Sequence, residues 1–221
     1  MIAKFIIKTA GNFLFIIGVS VALFTYMPIL YSEIGYYLAN KDEVGMSIIE
    51  QPTYTEQENI DEAISHEYIT PIKPSNEDFS VIINKIDVNA PVVPDVTMVD
   101  QSEYMKALRY GVAHAKGTPY PGQPGNSFYF AHSSLNFWQL GPYATVFNLL
   151  RKLEMNDTIT LFYKGKPYVY RVFEMETVPG WNTTPFVTDY EEPIITLVTC
   201  DPPGSTINRY IVKAKLVSVL R

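Results

Sequence analysis

A single cysteine, Cys200, closes the apolar run "IITLVTC", and Arg209 opens the next one, "RYIVKAKLVSVL". A thiolate is the nucleophilic form of cysteine. A neighbouring Arg or protonated His lowers the thiol pKa, whereas burial among apolar side chains raises it. If the two runs form a symmetrical hairpin, Cys200 faces Arg209 on a strand about 4.7–4.9 Å away. Nucleophilic chemistry also needs an acid/base partner, and His66, His114 and His132 are available. His132 ends "NSFYFAH", where a strand gives way to a Ser-Ser-Leu-Asn loop, and a histidine at a strand's rim suits that role. His66 lies in an acidic stretch and reads as solvated; His114 reads as a surface or loop-packing residue. Buried, inert cysteines and satisfied core histidines are common in proteins, so the residues alone leave both readings standing.

The elements that must position these side chains are mostly strands. "FSVIINKIDVNAPVV" reads as strand–turn–strand ending at Pro91. "DQSEYMKALRYG" offers Asp100 and Glu103 as a capping box for a short helix that stops by Gly111. "GTPYPGQPGN" is turn chemistry, and "SFYFA" is a brief strand before His132. In "ATVFNLLRKL", Val146, Leu149, Leu150 and Leu153 fall on one helical face, which predicts a helix. "DTITLFYKGKPYVYRVFEMETV" predicts a hairpin turning at Lys164-Gly165-Lys166. The last two strands follow, with Tyr210, Val212, Ala214 and Leu216 on one face and Arg209, Ile211, Lys213 and Lys215 on the other. Many short strands with few helices predict an all-β barrel or sandwich.

Of the 221 residues, 47% are hydrophobic, enough for a sizeable core. The net charge of −6 is uneven: residues 40–78 carry ten acids and two bases. No basic footprint for nucleic acid is present, so no such partner is expected. From Thr9 to Leu30 the chain has no charge, Lys4 and Lys8 precede that run, and Glu33 follows it. A bilayer core takes about 20 apolar residues, and the positive-inside rule puts the N-terminus in the cytoplasm. Tyr26, Tyr31, Tyr36 and Tyr37 would then sit at the outer interface. The run exceeds a signal peptide's apolar core and lacks a small-x-small site after it. The expected organisation is therefore residues 1–31 as cytoplasmic N-terminus and transmembrane anchor, 32–78 as an acidic extracellular linker, and 79–221 as the catalytic domain.

The string Thr196-Leu197-Val198-Thr199-Cys200 followed by Arg209 resembles the TLxTC…R signature of the sortases, membrane-anchored cysteine transpeptidases of bacterial cell surfaces. "GVAHAKGTPYPGQPGNSFYFAHSS" resembles the family stretch in which a Gly- and Pro-rich loop leads to the catalytic histidine. The resemblance covers residues 79–221 and implies a closed β-barrel of about eight strands with short helices, preceded here by a transmembrane helix. It implies cleavage of a Leu-Pro-x-Thr-Gly-like sorting signal between Thr and Gly, on surface proteins that bear it at the C-terminus. Cys200 would attack the Thr carbonyl and form a thioacyl-enzyme. His132 would serve the leaving and incoming amines, and Arg209 would hold the substrate and the oxyanion. The acceptor would be an amine such as a cell-wall precursor.

By the same alignment His114 matches an upstream, non-catalytic histidine, and Ala131 stands where the family often has Gly. Thr199, Ala131, Trp181 and Trp138 are candidates for the substrate groove, with Thr199 equally an ordinary β-branched strand residue. Neither the Asp-Pro-aromatic lid nor the second membrane segment of pilin-polymerising sortases is seen, which favours an anchoring role. Glu174, Glu176, Asp189, Glu191 and Glu192 lack ligand spacing; no metal and no cofactor are expected. Two other functions fit the same residues: a cell-wall cysteine peptidase that hydrolyses, and an inactive membrane-tethered β-domain with a buried thiol.

Overall fold

A computed structural model describes residues 2–39, 73–133, 141–187 and 190–220 of the chain. Eight strands close into one barrel in the order β1-β2-β3-β4-β7-β8-β6-β5. They are β1 (Phe79–Ile83), β2 (Val88–Val96), β3 (Val112–Ala115), β4 (Gly125–Phe130), β5 (Thr158–Tyr163), β6 (Lys166–Pro179), β7 (Pro193–Asp201) and β8 (Asn208–Val219). The barrel expected from the sequence is thus present. Two neighbouring pairs, β2 with β3 and β4 with β7, run parallel, and the others are antiparallel.

Alternation along the strands separates two apolar faces. Inward residues such as Tyr129, Ile159, Leu161, Tyr170, Ile195, Leu197, Val212 and Ala214 join one core. Outward residues Ala115, Phe128, Val178, Val198 and Ile211 form a second, smaller cluster on the outside of the barrel. On the same side of β4 the Asn126 side chain donates to the Pro185 carbonyl of the β6–β7 connection. Helix α3 (Thr184–Val187) lies in that connection.

Short elements follow local chemistry. In helix α2 (Gln101–Ala107), Asp100 caps the first turn by accepting from the N–H groups of Ser102 and Glu103. The β5–β6 hairpin turns at Lys164 and Gly165, both with positive φ, the pairing a type I′ turn requires. Strand β2 does not end at Pro91 as expected but runs on to Val96. Pro91 is the last partner of β1, opposite Ser80, and pairing with β3 begins at Val92, so its missing N–H falls at the handover. Gly111 is required just before β3, since a Cβ there would lie 2.0 Å from the Pro91 carbonyl oxygen.

The helix expected over "ATVFNLLRKL" is not formed. Residues 142–149 wind as turns and Leu150–Lys152 as a 3-10 helix, held by bonds between residues three apart, among them Asn148 N–H to Thr145 O and Leu150 N–H to Phe147 O. Phe147, Asn148, Leu149 and Leu150 are all buried. Four consecutive buried residues do not fit the single apolar stripe that the spacing implied.

At the N-terminus, helix α1 runs from Ile2 to Ala39, past the expected boundary at residue 31. Its Ser32 accepts from Asn148, Glu33 pairs with Arg151 and Lys152, and Tyr36 packs on the barrel beneath the Lys152 ammonium. Tyr36 is therefore partly covered by protein. Among the described residues no helix is long and apolar enough to cross a membrane. Within the expected span, the side chains of Thr25, Pro28 and Ile29 lie outside the described residues. The same holds for residues 40–72, most of the expected linker, including His66.

Candidate active site

Strands β7 and β8 meet with Cys200 directly opposite Arg209, the register a symmetrical hairpin predicts. The ladder extends one pair further than expected, to Asp201 and Asn208. Strands β4 and β7 run parallel, with Phe130 beside Val198. Pairing continues past the strand end, because the Ala131 N–H donates to the Val198 carbonyl at 3.1 Å. Two residues beyond Phe130 is His132, and two beyond Val198 is Cys200. Alternation then points His132 and Cys200 to the same outer face of the barrel, and the β7–β8 pairing adds Arg209 to that row.

All three side chains line one cavity of about 490 Å³. Its floor is the apolar outside of β4 and β7, with Phe128, Phe130 and Val198. One wall is α2 and its approach, with Met98, Tyr104, Met105 and Leu108, and the other is the β7–β8 loop at Gly204, Ser205 and Thr206. A larger cavity of about 990 Å³ lies between α1 and the opposite part of the barrel and touches none of the three.

Backbone contacts fix the row. Thr199 Oγ1 donates to the Ala131 carbonyl at 2.9 Å, tying the strand of Cys200 to the residue before His132. The His132 carbonyl accepts from Phe147 N–H at 3.1 Å, and Phe147 is wholly buried. Arg209 Nη1 donates to the carbonyls of Thr206 and Asn208, each at 3.0 Å, which holds the guanidinium over the loop.

Electrostatics leave the resting pair neutral. Burial pushes the Cys200 thiol above its usual range, and the opposing charge of Arg209 offsets this only in part. Burial pushes His132 down to about 4. The arrangement thus offers a protonated thiol and a neutral imidazole on one cavity wall, with the Arg209 cation held on the neighbouring strand.

The other candidates sort clearly. Ala131 and Thr199 both line the cavity, and the Thr199 hydroxyl also braces the Ala131 carbonyl. Trp181 does not line it; it is 82% exposed in the turn after β6. Trp138 lies outside the described residues. His114 is no surface residue: it is fully buried in the barrel, stacked on Tyr120, with Nε2 3.1 Å from the Pro119 carbonyl and from the Thr118 hydroxyl. Sequence reasoning missed the α2 wall, although the Asp100 cap signalled a helix whose Tyr104, Met105 and Leu108 had to pack on something. No cluster of acids, His and Cys fit to hold a metal occurs among the described residues. Glu174 and Glu176 instead face Lys213, at 2.8 and 3.5 Å.

The closed barrel thus presents a cysteine, a histidine and an arginine in one row on its outer face. Residues 81–217 match the Sortase domain family, and the chain belongs to that family. Among solved structures, sortase A of Listeria monocytogenes is 22% identical with a TM-score of 0.52, over 64% of this chain and 87% of that one. The sortase D5 transpeptidase of Clostridium perfringens is 25% identical with a TM-score of 0.52, over 71% and 89%. A Clostridium perfringens sortase C, solved with the C-terminal cell wall sorting motif, is 23% identical with a TM-score of 0.52, over 63% and 69%. Among proteins with curated descriptions, none matches the chain.

Proposed function

We propose that the protein is a membrane-anchored cysteine transpeptidase that cuts a Leu-Pro-x-Thr-Gly-like sorting signal and joins the acyl part to an amine at the cell surface. The observation that carries this reading is the shared row of His132, Cys200 and Arg209 in one cavity. The solved sortase C complex with a C-terminal sorting motif supports the substrate class.

In the first half-reaction the Cys200 sulfur bonds to the Thr carbonyl carbon while its proton passes to His132. Arg209 donates to the oxygen as it gains negative charge, a contribution of roughly 2.7–4 kcal/mol to lowering the barrier when such a donor is fixed in advance. The C–N bond breaks as His132 returns the proton to the departing Gly amine, leaving a thioester on Cys200. In the second half-reaction His132 takes a proton from the incoming amine, the new amide forms, and the sulfur leaves with that proton restored to it. The apolar floor and the α2 wall suit the Leu-Pro part of the signal. The anchoring part of the reading rests on the charge-free stretch of α1, whose exposed Phe13, Leu14, Phe15, Ile16 and Leu23 suit a lipid surface, although no described helix is long and apolar enough to cross a membrane. The barrel would then stand outside the cell.

The test uses the full chain in detergent micelles with a fluorogenic Leu-Pro-x-Thr-Gly peptide, with and without an amine acceptor, beside Cys200→Ala. The expected result is a thioacyl adduct on Cys200 and an amide product, both absent from the variant. Cleavage without amide formation at any acceptor concentration would refute transpeptidation.

A further inference from the structure

The β6–β7 connection begins at Gly180, and this residue packs against the catalytic hairpin. Its N–H donates to the Ile207 carbonyl at 2.7 Å, just past the last β6–β8 pair, Pro179 with Asn208. A Cβ on Gly180 would lie 2.6 Å from the Thr206 carbonyl oxygen, 3.0 Å from that of Ile207 and 3.1 Å from Arg209 Nη1. The Thr206 oxygen is the same atom that accepts from Arg209 Nη1. The φ of Gly180 lies outside the left-handed region, so its backbone conformation alone does not demand glycine. What the position demands is empty space.

We infer that Gly180 is a positioning residue for Arg209: its bare Cα leaves room for the Thr206 carbonyl and the guanidinium of the residue paired with Cys200 to meet. Any side chain at 180 must displace backbone, either the turn itself or the loop whose carbonyls hold the arginine. A contact of 2.6 Å against a backbone oxygen is well inside van der Waals separation, so a shift of about half an ångström or more follows. Through this contact the β6–β7 connection and the charge beside Cys200 move together. The inference rests on the role proposed above for Arg209, and its test separates the two.

The experiment is Gly180→Ala in the full chain in micelles, with two readouts. One is kcat/KM for the fluorogenic peptide, expected to fall about 10²-fold, the scale of a misplacement of this size in an active site. The other is the pH midpoint of Cys200 alkylation by iodoacetamide, which needs no substrate and reports how close the Arg209 charge lies. That midpoint should rise toward the value in Arg209→Ala, and Gly180→Ala should add no further rise in the Arg209→Ala background. A folded Gly180→Ala enzyme with unchanged rate and midpoint overturns the inference, as does a midpoint shift that persists without Arg209. Should Gly180→Ala not fold, Pro179→Gly loosens the approach to the same contact without adding atoms. It should then cost several-fold in kcat/KM and raise the midpoint only while Arg209 is present; no change refutes the positioning role. If wild type turns over no sorting peptide, the functional proposal fails while the alkylation midpoint still decides this one.

Discussion

The neutral resting pair predicts an unusual pH profile. His132 at about 4 means that at pH 5 roughly nine-tenths of molecules carry a neutral imidazole able to take the thiol proton. An unshifted histidine near 6.5 would be neutral in only about 3% of molecules at that pH. The two cases differ about thirtyfold in competent enzyme. On the alkaline side burial keeps the Cys200 thiol protonated beyond its usual range, offset only in part by the Arg209 charge, so the proton it passes on is retained further into alkaline pH than in a free thiol. The profile of kcat/KM is therefore a broad plateau, falling on the acid side as His132 is protonated around pH 4 and on the alkaline side only beyond the usual thiol range. The assay is initial rate at limiting sorting peptide from pH 4.5 to 10, with circular dichroism at each pH, because His114 is also buried and loses cover if charged. Loss of more than tenfold between pH 7 and pH 5 in a folded enzyme would refute the argument that burial governs His132. A narrow bell centred near 7 would equally refute it and point to a standing thiolate–imidazolium pair.

Arg209→Lys keeps a charge near Cys200 but replaces the planar fork whose Nη1 spans two carbonyls with a single nitrogen. Acylation should slow by about 10²- to 10³-fold, the equivalent of one fixed oxyanion donor, while the alkylation midpoint of Cys200 stays near wild type; rates within threefold of wild type would refute the donor role. Thr199→Val removes a buried hydroxyl and leaves the Ala131 carbonyl without that donor, so stability should drop by about 1–3 kcal/mol in chemical denaturation. Its kcat should fall as well, because that bond braces the residue before His132; an unchanged unfolding midpoint would show the bond to be idle.

The hairpin register was legible because it depends on local chemistry. Pro202, Pro203 and Gly204 cannot continue a strand, and a symmetrical loop from Asp201 to Asn208 brings Cys200 to Arg209. The hairpin at Lys164 and Gly165 and the Asp100 cap were readable for the same reason. Long-range covering was not. The spacing of Val146, Leu149, Leu150 and Leu153 is helical, yet Phe147 and Asn148 between them are buried too, one against the core and one against Ser32 of α1. Trp181 was drawn toward the groove by its residue type, but which face of the barrel a loop crosses depends on contacts such as Asn126 with Pro185. The sequence could name both influences on the thiol, burial and the Arg209 charge; only the packed structure shows that burial prevails.

The site depends on strand parity as much as on residue identity. Along β7, Leu197 and Thr199 face the barrel interior while Val198 and Cys200 face out. A slip of one residue against β4 would turn the thiol into the core and Thr199 onto the surface. Two independent pairings prevent it. The parallel ladder with β4 holds Gly125 to Phe130 beside Pro193 to Val198, and the antiparallel ladder with β8 holds Ile194 to Asp201 against Asn208 to Lys215. Buried polar bonds reinforce the first, Thr196 to Asn126 and Thr199 to the Ala131 carbonyl, and each would be left unsatisfied by a slip. The threonines of the signature string thus set the register, and the register delivers His132, Cys200 and Arg209 to one row.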